Sequence, residues 1–457
     1  MRTHRKLAVA LATATAASLT GGLLALSAGP AAAAGPAKYA DDFNGDGYRD
    51  YATGWDGAVT VTYGTATGPG PKTVRFTQDS PGIPGTAGDA GGYADSFGNQ
   101  LAQADLNGDG YADLAVADSS EKSGTTAGAG AVTILWGSKT GLGTQATRLS
   151  ARSRTAFGAA LAAGDFNGDG KPDLAVTDAT GTLYVYRGGF SRSGTTGSVT
   201  KLEVSPSGAE VLEPTDLVAG KVNKDKATDL YLIGQGYKNG RMTQAALFVQ
   251  GGSTIKRGKY TTYNAAQADF GATGVIADFD KNGYGDLAVS DTPYNSGAGS
   301  VVVLRGGASG PGTSYRLTQS TAGVATAATK NDRFGYSLSA GDTNRDGYPD
   351  LAVGVPEEES GTVHNAGGVH VLRGGSKGLT GTGSQWFTRA TAGVPGSATA
   401  DEMAGLNVRL RDFDRDGDAD LLFSGDPYRR SVLLRASASG ITTGGASETG
   451  LFPAFPQ

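Results

Sequence analysis

Apolar residues in this chain come in short runs separated by Gly, Asp, Asn and Ser, with hardly any helical period. The longest runs end in Gly: Ala131-Val-Thr-Ile-Leu-Trp-Gly137, Thr182-Leu-Tyr-Val-Tyr-Arg-Gly188, Ser300-Val-Val-Val-Leu-Arg-Gly306 and Gly368-Val-His-Val-Leu-Arg-Gly374. Before each lies a shorter run such as Leu114-Ala-Val116 or Leu351-Ala-Val353, and after some a more polar one such as Tyr315-Arg-Leu-Thr318. Further upstream comes an aromatic-Gly pair: Phe97-Gly98, Phe157-Gly158, Phe270-Gly271 and Phe334-Gly335, with Met403-Ala404-Gly405 as a weaker version. Four short strands in about 60 residues, repeated along the chain, predict an all-β fold, a seven-bladed β-propeller.

Between the first two strands of each unit stands an acidic loop, D-x-[DN]-x-[DN]-G-x-x-D, starting at Asp42, Asp105, Asp165, Asp278, Asp342 and Asp412. A degenerate copy starts at Lys221, and the seven starts are 63, 60, 56, 57, 64 and 70 residues apart. Such spacing makes each copy one structural unit. Side-chain oxygens at positions 1, 3, 5 and 9, with a backbone carbonyl at 7, can wrap one hard cation, and Gly at 6 permits the sharp turn. The candidate ligands are Asp42, Asn44, Asp46 and Asp50, then Asp105, Asn107, Asp109 and Asp113, then Asp165, Asn167, Asp169 and Asp173. In the later units they are Asp278, Asp280, Asn282 and Asp286, then Asp342, Asn344, Asp346 and Asp350, and finally Asp412, Asp414, Asp416 and Asp420. Oxygen-only donors of high charge favour Ca²⁺ over zinc or copper. Up to six Ca²⁺ sites are expected and none at the Lys221 loop, where Lys replaces the first ligand and Lys226 the turn Gly. An EF-hand does not fit, because the twelfth position is Thr53, Val116 or another non-acid, and strand rather than helix follows.

Composition sharpens this picture. Gly makes up 74 of 457 residues, about 16% against the usual ~7%, as turn-rich blades require. There is no Cys and there are three His, which removes disulfide scaffolds, thiolate chemistry and most imidazole chemistry. Residues 1–34, with Arg2, Arg5 and Lys6 before an apolar stretch and small residues at Ala31–Ala34, read as a secretory leader, leaving 35–457 as the propeller. Losing those three cations takes the formal charge from −5 to −8, which argues against nucleic acid and suits clustered acids that bind cations. No later stretch is long enough for a membrane-spanning helix, so export and release are expected.

The chain resembles the FG-GAP repeats of the integrin α-chain propeller and their secreted bacterial relatives. The name fits Phe334-Gly335 followed by Gly354-Val-Pro356, and more loosely Ser290-Asp-Thr-Pro293 and Gly425-Asp-Pro427. Two units depart from it: the first has Lys38-Tyr-Ala-Asp-Asp42 without Phe-Gly, and the fourth has Pro214-Thr-Asp216 in that place. The first departure suggests that the segment around Gly450-Leu-Phe452 helps close the ring. The resemblance implies calcium loops on one face and ligand recognition on the other, made by the hairpins between strands 2 and 3 and the connections from strand 4 to the next strand 1. There the candidate ligand residues are Tyr294, Glu357, Glu358, Glu359, His364, Tyr428, Arg429 and Arg430. Trp55, Trp136 and Trp386 are candidate sugar platforms, although Trp136 lies in a strand pattern and reads as core.

The expected function is binding of an extracellular protein or glycan without catalysis. No G-x-S-x-G elbow, H-E-x-x-H or Cys-His pair is present, and the paired carboxylates are accounted for by calcium. The alternatives are a lectin, a purely structural spacer, or an extracellular hydrolase, since FG-GAP repeats also accompany the catalytic domain of a phospholipase D acting on glycosyl-phosphatidylinositol anchors. His370, alternating with Val369 and Val371, reads as structural.

Overall fold

The computed structural model describes residues 36–88, 96–143, 145–204, 210–238, 240–265, 272–426 and 428–456. The leader (1–34) and the Phe270-Gly271 pair fall outside the described residues, as does Pro427 of the last FG-GAP-like segment. The described residues form seven antiparallel sheets in sequence order, six of four strands and one of three. Blade 2 is representative, with strands Leu101–Ala104, Asp113–Asp118, Ala131–Leu135 and Ala146–Arg148 lying side by side in chain order. The one described helix is the single turn Tyr294–Gly297, in a hairpin of blade 5.

Both faces of each sheet are covered by neighbouring blades, so central strands such as Asp113–Asp118 and Ala131–Leu135 are buried at every position rather than at alternate ones. In blade 2, Leu114 and Val116 point into a cluster shared with blade 1, whereas Ala115 and Ala117 enter the cluster shared with blade 3. Each such cluster fills the wedge between two successive blades, and one of them, built from Tyr51, Phe413, Leu422, Leu433, Leu451 and Phe455, joins blade 7 to blade 1.

The aromatic-Gly pair has a mechanical reason. Phe97, Phe157 and Phe334 are buried in these wedges. The Gly that follows starts strand 1: the N–H of Gly98 bonds Ala117 O at 2.8 Å, and that of Gly335 bonds Gly354 O at 3.1 Å. Gly98 sits at φ 92° with no room for a side chain, since a Cβ would lie 2.9 Å from Ala58 O of the preceding blade. In blade 4, where Pro214-Thr-Asp216 replaces the pair, the first strand is instead long (Glu210–Gly220) and carries a β-bulge between Pro214 and Asp216.

Among the described residues blade 1 has the strands Tyr51–Trp55, Ala58–Thr65 and Gly68–Phe76, with no innermost strand of its own. The final segment takes that place. Phe455 packs on Tyr51 and Phe413, while Phe452 lies beside Trp55, so this segment runs antiparallel to Tyr51–Trp55. Two guanidiniums from the innermost strand of blade 7 (Asn407–Arg411) hold it: Arg409 donates to Phe455 O at 2.6 Å and Arg411 to Pro456 O at 3.1 Å. Arg411 is also paired at 2.7 Å with the buried Asp41. The inner strands surround a cavity of 420 Å³ lined in part by Asp216, Arg409, Phe455 and Pro456.

Candidate metal centres on one face of the ring

Six of the acidic loops join strands 1 and 2 and the first leads into Tyr51–Trp55, each at the end of its blade opposite to the strand 2–3 hairpin, so the ring has an acidic face and a hairpin face. Within a loop the chain is wound by its own carboxylates. In the first, Asp42 accepts the N–H groups of Asp46 and Gly47 at 3.1 and 2.8 Å, Asn44 accepts that of Asp46, and Asp46 accepts that of Tyr48. The same pattern recurs from Asp105, Asp165, Asp278 and Asp342. These Asx turns gather positions 1, 3 and 5 around one point.

In the seventh loop, whose positions 1, 3 and 5 are all Asp, carboxylate oxygens of Asp412, Asp414 and Asp416 lie within 4.8 Å of one another. Asp412 Oδ1 is buried without a hydrogen-bond partner, and so is Asp286 Oδ2 in the fifth loop. A buried carboxylate oxygen without a donor is costly unless a cation satisfies it. Hard oxygen donors of this kind fit Ca²⁺, which would be held by the carboxylates and the amide oxygen of positions 1, 3 and 5. The Lys221 loop differs as its sequence requires: the Lys221 ammonium donates across the loop to Lys226 O, placing a cation of the chain itself in the turn.

The ninth position is set apart from the others. Asp50 accepts the N–H of Phe43 at 2.9 Å and of Gly64 at 2.9 Å, Asp113 those of Leu106 and Gly137, and Asp173 those of Phe166 and Gly188. Asp229, Asp350 and Asp420 repeat the pair of bonds, and Asp286 makes the second of them to Gly306 at 2.8 Å. Each of these buried carboxylates therefore staples the loop to the residue just after strand 3. That residue is Gly in six blades, because a Cβ there would strike the carbonyl at loop position 8, 2.2 Å away for Gly137 and for Gly374. Arg373 and Arg435 add ion pairs of 2.8 Å to Asp350 and Asp420.

The loops are also tied to one another. The position-8 N–H of one blade bonds the position-1 carbonyl of the blade before it: Ala112 to Asp42, Thr228 to Asp165, Gly285 to Lys221 and Ala419 to Asp342, at 2.7–2.9 Å. In blades 3 and 6 position 8 is Pro172 and Pro349, which have no N–H. Position 4 reaches the other way, to the loop of the following blade. Lys224 lies 4.2 Å from the Tyr284 ring, Lys281 5.5 Å from that of Tyr348 and Arg415 3.9 Å from that of Tyr48, while Arg345 pairs with Asp418 at 2.8 Å. Sequence reading passed over these residues, although a base at position 4 recurring in four successive loops was the visible signal.

Burial pushes the ninth-position carboxyls upward, Asp50 and Asp113 to about 7 and Asp173, Asp286 and Asp420 to about 6. Asp42 and Asp412 are raised as well, again chiefly by burial. An acid whose folded pKa exceeds its unfolded value stabilises the fold below the unfolded pKa and loses that contribution as pH rises through the folded one. The ion-free protein should therefore lose stability between about pH 4 and pH 7. Thermal melts in EGTA across that range test this, and a midpoint that climbs with pH would contradict it.

On the hairpin face the candidate ligand residues are scattered. Tyr294 stacks against the Arg316 guanidinium at 4.2 Å, Glu357 pairs with Arg333 at 2.9 Å, and Glu358 accepts a hydrogen bond from Gln319. Glu359 is exposed, and so is Arg430, whose carbonyl accepts from Arg389. His364 lies 3.3 Å from Asp401, and Arg429 pairs with Glu402. Among the described residues the exposed large hydrophobic side chains are Trp55, 65% exposed, and Tyr428, 95% exposed, on the hairpins of adjacent blades 1 and 7. Trp136 is core, and Trp386 packs on the buried His370 with ring centroids 4.3 Å apart.

Family models agree with this geometry. An FG-GAP-like repeat model matches residues 105–176 and 165–232, and an FG-GAP repeat model matches 334–372. Phosphatidylinositol-glycan-specific phospholipase D of Rattus norvegicus is 34% identical over 122 residues, covering 26% of this chain and 14% of the relative. The Bos taurus protein of the same name is 34% identical over 107 residues, covering 22% of this chain and 13% of its own length. The chain thus spans about a seventh of the relatives it matches. Among solved structures, a lectin of Agrocybe aegerita, described as recognising non-reducing terminal N-acetylglucosamine, aligns over 88% of this chain and 90% of its own at 13% identity and a TM-score of 0.45.

Proposed function

Because this chain is an FG-GAP repeat protein built as a seven-bladed propeller, we propose that it is a secreted, calcium-stabilised binding module for an extracellular protein or glycan, with no catalysis of its own. The observation that carries the calcium part is the convergence of Asp412, Asp414 and Asp416 with a buried, partnerless Asp412 Oδ1. Removing Ca²⁺ leaves like charges crowded at the mouth of each loop, so the ion acts as a clamp between strands 1 and 2. Since neighbouring loops share backbone hydrogen bonds, the clamp in one blade supports the next. Melts in EGTA followed by excess Ca²⁺ test this. Each site saturated at 100 times its Kd adds about 2.7 kcal/mol, and the gain should reverse with chelator. An unchanged midpoint at millimolar Ca²⁺ would overturn the calcium reading.

The binding part is supported by the hairpin face, where Trp55 and Tyr428 offer exposed aromatic surface beside Arg429 and Arg430. Aromatic faces flanked by hydrogen-bonding groups suit a sugar as well as a protein side chain. A glycan array and a pulldown from culture supernatant distinguish the two. Loss of the captured ligand on Trp55→Ala or Tyr428→Ala would place recognition here, and retention by both variants would move it elsewhere. The phospholipase relatives share repeats over a small part of their length, so their activity is not carried over.

A further inference from the structure

Given that the acidic loops bind Ca²⁺, the reading on which this rests, we propose that Arg305 is a resident cation of the fifth loop. It holds Asp280 while the loop is empty and passes to Asp286 when the ion enters.

Blade 5 consists of Gly274–Ala277, Asp286–Ser290, Val301–Leu304 and Ser314–Leu317, and Arg305 stands directly after its third strand. Arg373 and Arg435 hold the same place in blades 6 and 7, each just before the residue whose N–H bonds the ninth carboxylate. All three guanidiniums reach with Nη2 to a carbonyl in the strand 3–4 turn of the following blade. Arg305 donates to Lys377 O, Arg373 to Ser439 O at 3.1 Å and Arg435 to Thr67 O at 3.4 Å. Their Nη1 atoms differ. That of Arg373 donates to Asp350 Oδ2 and that of Arg435 to Asp420 Oδ2, both ninth-position carboxylates and both at 2.8 Å. Arg305 Nη1 donates instead to Asp280 Oδ2, at the third position, at 2.6 Å.

The ninth position of blade 5 is left short of a cation as a result. Asp286 Oδ2, the counterpart of the atoms that Arg373 and Arg435 satisfy, is buried without a partner. Its other oxygen keeps the bond from Gly306 at 2.8 Å, so the carboxylate itself is in place.

A bare buried oxygen is costly, so a stronger demand must hold the guanidinium on Asp280. That demand is charge. Position 3 is Asn in five loops and Asp in the fifth and seventh alone, so Asp280 adds a second acid beside Asp278. The Asp280 side chain is 7% exposed, which leaves water little access to screen it. In an empty loop Arg305 answers this pair of acids. With two charges supplied by a bound Ca²⁺, the acids no longer need the guanidinium, which is freed for Asp286.

Blade 7 shows that the transfer is short. There one atom, Arg435 Nη1, lies 2.8 Å from Asp420 and 3.4 Å from Asp414, the acids at positions 9 and 3. The bond from Arg305 Nη2 to Lys377 O carries any movement of the guanidinium into blade 6. Filling of the fifth loop is thereby felt by the next blade through a side chain as well as through the backbone.

Crystals of the whole chain grown in EGTA and then soaked in millimolar Ca²⁺ read the transfer directly. With an ion in the fifth loop, Arg305 Nη1 should lie on Asp286 Oδ2, as its counterparts do in blades 6 and 7. An ion there with the guanidinium still on Asp280 would overturn the proposal, and so would a fifth loop left empty while others fill. No ion in any loop would refute the calcium reading itself, and the transfer with it. Native mass spectrometry during a Ca²⁺ titration gives a second test in solution. At concentrations that half-fill the wild type, Arg305→Met should hold more ions, its fifth loop binding roughly tenfold tighter once the neighbouring charge is gone. Equal counts throughout the titration would show that Arg305 does not compete with the ion, and would overturn the proposal.

Discussion

Deleting residues 451–457 should cost the folded protein about 5 kcal/mol or more, even with Ca²⁺ saturating. Leu451 and Phe455 are both buried in the wedge between blades 7 and 1. Trimming a buried Leu to Ala costs ~2–5 kcal/mol and a buried Phe ~3–5 kcal/mol. The deletion also strands the two guanidiniums whose acceptors are Phe455 O and Pro456 O. A ring has no slack at its seam, because blade 1 would be left with three strands and a bare inner edge. Phe455→Ala alone should cost about 3–5 kcal/mol. Arg411→Met should cost a similar amount, since it leaves the buried Asp41 with only the half-exposed Arg49 as partner. Tyr428→Ala, on the exposed hairpin, should stay within about 0.5 kcal/mol. Urea unfolding in Ca²⁺-saturated buffer measures all four. A truncated chain with the wild-type midpoint would mean that the seam is closed by something other than this segment.

The seam also marks where sequence reading ran out. Blades and loops were legible because each is local: strand periodicity, the aromatic-Gly pair and the acidic spacing all fall within one unit of about 60 residues. The closing contact joins Arg411 to Asp41 across 370 positions, and no pattern within a unit announces it. The missing Phe-Gly in the first unit and the residues Gly450-Leu-Phe452 were the available hints, and the segment does fill the inner place. The ties between loops were hidden for a similar reason. Bases at position 4 have no partner within their own unit, and only the closed ring sets Lys224 over Tyr284 and Arg415 over Tyr48. The hairpin-face residues were picked out for loop length and charge, yet Glu357, Glu358 and Arg429 turn out to be engaged within the protein. Trp55 kept its exposure because its hairpin is too short to fold back over it.

Asp229→Ala should destabilise the protein by about 2–6 kcal/mol in EGTA and in Ca²⁺ alike, whereas Asp109→Ala should act almost entirely on the calcium response. The two residues belong to the same nine-residue pattern, although only Asp109 is an expected ion ligand, since the Lys221 loop that holds Asp229 is expected to bind none. The structure separates them. Asp229 is fully buried and accepts N–H groups of Val222 and Gly251, at 3.2 and 2.9 Å, in a loop whose turn already contains the Lys221 ammonium. Removing its carboxylate unpairs the donors on both oxygens, Val222 and Asn223 on one and Gly251 on the other, at about 1–3 kcal/mol for each oxygen lost. Asp229→Asn keeps one acceptor and should lose roughly half as much. Asp109 lies nearer the surface, where it accepts the N–H of Tyr111 and pairs with Arg192 at 3.2 Å. Water can replace those contacts, so its loss should barely move the melt in EGTA but should subtract one site from the rise on adding Ca²⁺. If Asp229→Ala melted like the wild type in EGTA, the staple would carry no weight. If instead it reduced the calcium-induced rise as Asp109→Ala does, the fourth loop would be binding an ion despite its lysine. The ninth carboxylate is thus spent on backbone donors that hold the loop to its blade, whereas positions 1, 3 and 5 gather their oxygens around the point where a cation would sit.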